Sequence, residues 1–305
     1  MTKAVLTAKI ESTYDDLPEE RYHFPRTYLR QVEAAIGDWI VYYEPRRTSS
    51  DVQSRGGQQA YFATARLQRI EPDPVRDGHF YAIVSDYLEF DHSVPFRENR
   101  GTYEQGLVKS DGSTNKGAFG RAVRGLSDAE YDLILNAGFN ATLGELADGD
   151  RQRRTDNDAV PGFEEEPAEF DRPVVERLVG RPFRDAAFAA AVKAAYADTC
   201  AMTGLKIVNG GGRSEVQAAH IRPVAHRGPD SVRNGLALSG TIHWIFDRGL
   251  VSIDEDHSLL VAKDRLPDTV GRLLNPDRRL FVPGRLDLQP HPQFLRYHRE
   301  QIFKG

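Results

Sequence analysis

Three short stretches decide how this chain is read: Gln217-Ala218-Ala219-His220-Ile221-Arg222-Pro223, Arg233-Asn234-Gly235-Leu236-Ala237-Leu238 and His243-Trp244-Ile245-Phe246-Asp247-Arg248-Gly249. Val216 to Ile221 has the apolar content of a buried strand, which places His220 at its end. Asn234 falls in the connection that follows. A helix beginning near Gly240 covers His243 to Phe246. It sets His243 and Asp247 at i and i+4 on one face, where both can ligate one cation. Working outward, Arg184 to Asp198 reads as an amphipathic helix, with Phe188, Val192 and Tyr196 spaced by four. Cys200 to Gly204 makes a turn. Leu205–Val208 and Val216–Ile221, joined by Gly210-Gly211-Gly212, read as a hairpin, and Val251–Ile253 as a short strand. The local order is strand, strand, helix.

The ordered string Cys-Ala-Met-Thr-Gly, Ala-Ala-His-Ile-Arg-Pro, Arg-Asn-Gly-Leu-Ala-Leu and His-Trp-Ile-Phe-Asp-Arg-Gly, from Cys200 to about Lys263, resembles the HNH endonuclease family. The resemblance implies a ββα-metal fold that holds one divalent ion, Mg²⁺ or Mn²⁺, per active site. It implies His220 as general base, since neutral imidazole can take a proton from water near pH 7. Asn234 is implied to fix the loop and orient that histidine. His243 is implied as a metal ligand and Asp247 as a second. Many members place Asp or His just before the base, where this chain has Ala219; Asp230, Glu215 and Asp254 are candidate substitutes. His226 and His257 read as surface residues, and Cys200 as a small buried apolar residue.

The 305 residues carry a net charge of −5, distributed unevenly. Residues 171–305 have 20 basic and 15 acidic side chains, residues 141–170 have 3 and 9, and residues 1–140 have 17 and 21. A basic C-terminal part thus follows an acidic connector. Residues 147–172, with Arg151-Gln152-Arg153-Arg154 and Glu164-Glu165-Glu166, lack periodic apolar residues and read as a solvated linker between domains at 1–146 and 173–305. No apolar run is long enough to span a bilayer, and the first residues lack the apolar segment of a secretion signal. The single cysteine excludes an internal disulfide and a multi-cysteine zinc site. A cytoplasmic enzyme is expected.

Residues 1–146 read as α+β. Asp38–Tyr43, Gln59–Leu67 and Phe80–Val84 are expected strands, with Leu107-Val108 a weaker one. Ser127 to Ala137 is an expected helix with Ser127 as N-cap and Glu130 completing a capping box. A short helix is expected within Arg26–Ala35. The strand Gly37–Tyr43, then Tyr61–Ala65, then Asp86, Tyr87 and Phe90 resemble the PUA-like superfamily, particularly its EVE-type members. The resemblance implies a small β-barrel with flanking helices that holds a flipped, modified base in an aromatic pocket. Stacking on π faces is what a base taken out of its duplex requires. Alternation puts Trp39, Val41 and Tyr43 on one strand face and Ile40 and Tyr42 on the other. Trp39 and Tyr43, with Tyr22, Asp86 and Tyr87, are the candidate base-binding residues. Arg46, Arg47, Arg66, Lys116, Arg121 and Arg124 are candidate phosphate contacts.

Together the halves resemble a modification-dependent restriction endonuclease that reads a modified base, cytosine by expectation, in double-stranded DNA. Because one HNH site cuts one strand, a homodimer is expected. The alternatives are an HNH nuclease without modification dependence and a non-catalytic DNA- or RNA-binding protein.

Overall fold

A computed structural model describes residues 2–8, 17–45, 57–98, 101–144, 146, 178, 180–263 and 265–305. The chain divides into two compact units, Met1–Ala187 and Phe188–Gly305, with the division inside the helix Arg181–Ala195. The connector expected at 147–172 lies outside the described residues, as do Arg46 and Arg47.

The first unit is built on β1 (Lys3–Thr7), β2 (Arg21–Pro25), β3 (Trp39–Glu44), β4 (Ala60–Pro72), β5 (His79–Pro95) and β8 (Val123–Leu126). Arg97–Glu98 (β6) and Gly101–Thr102 (β7) form a separate two-residue ladder. The main sheet runs β2-β5-β4-β3-β1-β8. Only β1 and β3 are parallel; the other pairs are antiparallel. Three register shifts interrupt the long β4–β5 pair. Such bulges add local twist, and the sheet curls into a half-barrel. The closed barrel expected from sequence is therefore not formed among the described residues, where β2 and β8 are the two edges.

β3 is buried along its whole length because a helix covers each face of the sheet. Trp39, Val41 and Tyr43 pack with Tyr131, Ile134 and Leu135 of the helix Asp128–Gly138. Ile40 and Tyr42 pack with Val32 and Ala35 at the short helix Leu29–Glu33. The capping box is present: Glu130 N–H donates to Ser127 Oγ, and Ser127 N–H to Glu130 Oε2 at 2.9 Å. Leu107 and Val108 are not a sheet strand. Leu107 ends a 3₁₀ turn, and Val108 makes an isolated bridge to Thr114.

In the second unit, β9 (Gln217–His220) pairs antiparallel with β10 (Gly235–Leu238), matching His220 to Gly235 and Gln217 to Leu238. The helix Gly240–Asp247 follows at once. This corrects the expected hairpin. Leu205–Val208 is not a strand, and only an isolated bridge, Val208 to Ser214, closes the glycine turn. The true partner of β9 is fully buried, so it shows no alternation in sequence. β11 (Val251–Ile253), β12 (Leu259–Val261) and the helix Pro292–Gln301 complete the core. His298 of that helix is buried, stacked 3.9 Å from Phe246 and hydrogen-bonded to Ser252 Oγ at 2.8 Å. Burial lowers its pKa to about 4.

Candidate active site

Asn234 shuts the loop between β9 and β10. Its side chain is fully buried. Oδ1 accepts from Arg222 N–H at 2.8 Å, while Nδ2 donates to the carbonyls of Arg222 at 3.0 Å and Pro229 at 2.9 Å. These bonds pull residues 222 and 229 against one side chain, so the backbone there is crowded. A Cβ on Gly228 would fall 1.8 Å from the Arg222 carbonyl oxygen. Only glycine fits.

His220 ends β9. Its ring stacks on Phe188 with centroids 3.9 Å apart and planes at 15°. Nε2 is 2.9 Å from Asp230 Oδ1, and that carboxylate is 1 % exposed. Gly235, opposite His220, lets the helix approach this closely: a Cβ there would lie 2.4 Å from Val192 Cγ2 and 3.1 Å from the Phe188 ring.

His243 and Asp247 share a helix face as expected from their spacing. Nδ1 of His243 lies 2.8 Å from Gln217 Oε1, and Nε2 lies 3.4 Å from Asp247 Oδ2. With the amide oxygen accepting from Nδ1–H, the Nε2 lone pair faces the carboxylate. Two ligands each about 2.1 Å from one ion, at angles between 90° and 110°, stand roughly 3.0–3.4 Å apart. The pair therefore fits a divalent ion. No third His, Cys, Asp or Glu joins them among the described residues. Of the candidate substitutes for Ala219, Asp230 is taken by His220, Glu215 accepts the Gly240 N–H at 2.9 Å, and Asp254 lies 3.8 Å from Arg299. A hard cation held by one or two side chains completes its shell with water and substrate phosphate oxygens, which suits this donor set. His220 and His243 are both tied to β9: one is its last residue, and the other hydrogen-bonds its first.

The five candidate base-binding residues are not gathered in one place. Trp39 and Tyr43 lie in one core, while Tyr22 and Tyr87 lie in another with Tyr42. Tyr22 O–H donates to the Thr7 carbonyl at 3.2 Å. Asp86 occupies a bulge at φ 53° and pairs with Arg184 at 2.6 Å. Burial pushes the Tyr43 hydroxyl up to about 12. Arg124 is not a phosphate contact. It is buried and bonds Glu104 through Nε and Nη2, each at 2.7 Å, and Tyr61 O–H donates to the same carboxylate.

A buried amide that closes a strand-to-strand loop, a histidine at the strand end and a His–Asp pair on the next helix thus stand together on one hairpin and the helix that follows it. Residues 200–254 match the family model described as HNH endonuclease, so the chain carries an HNH endonuclease domain, a DNA phosphodiesterase module. Among solved structures, it is similar to one titled "Modification dependent TagI restriction endonuclease", at 16% identity over 97% of this chain and 81% of that one, with a TM-score of 0.32. It is also similar to one titled "Structure of the Type IV phosphorothioation-dependent restriction endonuclease ScoMcrA", at 15% identity over 79% of this chain and 48% of that one, with a TM-score of 0.19. No curated protein matches the chain. Among the described residues, no helix is long and apolar enough to cross a membrane.

Proposed function

We propose that this protein hydrolyses DNA phosphodiesters at His220, Asn234, His243 and Asp247, and that its N-terminal unit directs it to double-stranded DNA carrying a modified base, cytosine foremost. The observation that carries the nuclease reading is the convergence of His243 Nε2 and Asp247 Oδ2, 3.4 Å apart, on the helix that follows the hairpin bearing His220. His220 takes a proton from the attacking water. Asn234 holds the loop beside it. His243 and Asp247 would hold Mg²⁺ or Mn²⁺, and that ion, when bound, neutralises charge on the phosphoryl group and the leaving 3′ oxygen.

The reader role is supported by the aromatic-rich curled sheet and by its sequence resemblance to PUA-like domains. A flipped base would stack on side chains of that sheet; Trp39 and Tyr43, or Tyr22 and Tyr87, are packed in its two cores and would receive a base only with that face of the sheet opened. Each strand cut needs one active site, so a homodimer in the cytoplasm is the working assembly.

The test is digestion of matched DNAs carrying unmodified, methylated, hydroxymethylated or glucosylated cytosine, with Mg²⁺ or Mn²⁺. The expected result is cutting confined to one or more modified substrates and lost in His220→Ala. Equal cutting of all four removes the modification dependence and leaves the nuclease standing. Absence of any metal-dependent nicking removes both. Light scattering of the protein, free and DNA-bound, tests the dimer.

A further inference from the structure

We infer that Asp230 is the positioning residue of His220: its buried carboxylate holds the proton on Nε2, which leaves Nδ1 to accept the proton of the attacking water. The inference deepens the nuclease reading and rests on His220 being its base.

Asp230 follows Pro229, whose carbonyl is one of the two that Asn234 grips, and precedes the 3₁₀ turn Val232–Asn234. The loop therefore delivers this carboxylate to a fixed point. Its side chain is 1 % exposed and that of His220 17 %, and their contact is 2.9 Å. A carboxylate out of water must be met by donors, and the imidazole N–H is one of them. Nδ1 of His220 has no hydrogen-bond partner among the described residues. Phe188 covers one ring face at 3.9 Å. The in-plane bond and the stack together fix both the direction and the tilt of the ring.

Which nitrogen carries the proton is set by the partner of the other. With Asp230 accepting from Nε2–H, the Nδ1 lone pair is the free base. In the reaction, the O–H bond of water breaks and an N–H bond forms at Nδ1. The water oxygen makes the new P–O bond as the P–O3′ bond breaks, and the 3′ oxygen takes a proton from solvent. The imidazolium so formed keeps its Nε2 proton against the carboxylate and is stabilised by it. Orientation thus passes along a chain: Asn234 fixes the loop, the loop fixes Asp230, and Asp230 fixes His220.

The experiment compares the full-length wild type, His220→Ala, Asp230→Asn and Asp230→Glu in Mg²⁺- or Mn²⁺-dependent plasmid nicking over a range of DNA concentrations, with melting curves for each. The ring nitrogens of ¹⁵N-histidine-labelled protein are recorded alongside. The expected result for Asp230→Asn is a kcat about 10- to 100-fold lower, the usual size of such outer-shell effects, with KM within about twofold. Asp230→Glu should recover part of the loss. The wild-type His220 ring should show its neutral proton on Nε2, with that preference lost in Asp230→Asn. A folded Asp230→Asn protein with wild-type kcat, or a wild-type His220 protonated on Nδ1, overturns the proposal. If Asp230→Asn does not fold, the wild-type tautomer decides. Failure of the wild type itself to nick any DNA overturns the nuclease reading, while the tautomer still judges the Asp230–His220 pairing.

Discussion

Adding one methyl group at Gly235 should destabilise the second unit and displace His220, its proposed base. A Cβ there lies 2.4 Å from Val192 Cγ2 and 3.1 Å from Cε2 and Cζ of Phe188. Carbon atoms in good contact stand about 3.5–4.0 Å apart, so the helix must retreat by roughly 1 Å. Val192 is fully buried, and Phe188 carries the His220 ring. Overpacking of this kind costs about 1–3 kcal/mol, and at about 2 kcal/mol the folded-to-unfolded ratio falls roughly 30-fold. Gly235→Ala should lower the urea midpoint accordingly. Nicking should fall further than the folded fraction explains, because the stack that holds His220 is displaced. Val192→Ala removes the nearest clashing methyl. The double variant should therefore be more stable than the sum of the two single losses predicts, by about 1 kcal/mol or more. Gly284→Ala, where a Cβ meets nothing within 4 Å, is the control. Wild-type stability and nicking in Gly235→Ala, or strict additivity with Val192→Ala, would refute the reasoning.

Three further outcomes are expected. His298 is held neutral in the fold at a pKa of about 4, against 6.5 in the unfolded chain, so protons bind the unfolded state first. Its contribution is complete above about pH 7 and is lost as pH falls through 6.5 toward 4, up to about 3 kcal/mol. His298→Phe should flatten that part of the urea-midpoint profile, and an unchanged acid slope would count against it. Asn234→Asp keeps the acceptor for Arg222 N–H but turns an oxygen toward the carbonyls of Arg222 and Pro229. It should destabilise by about 2–4 kcal/mol, and an unaltered melting temperature would contradict the role of Asn234 in closing the loop. Trp244, 54 % exposed with Arg248 over its ring at 4.5 Å, follows His243 directly on the helix. DNA bound to His220→Ala in the Trp39→Phe background should quench its fluorescence, and Trp244→Ala should weaken binding about 5- to 10-fold, in the range of one stacked contact. No quench would remove Trp244 from the DNA surface.

Features set by a few neighbouring residues were legible in the sequence. The Ser127–Glu130 box, the i, i+4 placement of His243 and Asp247, and the two faces of Trp39–Tyr43 each follow from local periodicity. What was not legible depends on partners far along the chain. Lys3–Thr7 and Val123–Leu126 pair across more than a hundred residues, and neither run announces itself alone. Gly235–Leu238 starts at the glycine of an Asn-Gly pair, a turn signal, and its four buried residues give no alternation to set against it. Asp230 stood among the acids weighed as metal ligands. Its real neighbour, ten residues earlier, is brought to it by the loop that Asn234 closes. The aromatics of the first unit could not be assigned from sequence for a different reason. A ring that fills a core and a ring that stacks on a base have the same sequence signature, and only packing separated Trp39 and Tyr43 from Tyr22 and Tyr87.

Strand β9 is four residues long, and both ends of the chemistry hang from it: Gln217 steadies His243, and His220 is its last residue. It therefore acts as a spacer of about 10 Å at 3.3 Å per residue. One residue inserted between Gln217 and His220 would lengthen that spacer by a third and turn the base to the other side of the hairpin. The exposed turn at residues 209–213 carries no such constraint. Length variation in this protein's relatives should accordingly collect in that turn and stop at Gln217, so that the outline of the turn can change between relatives while the distance between His220 and His243 does not.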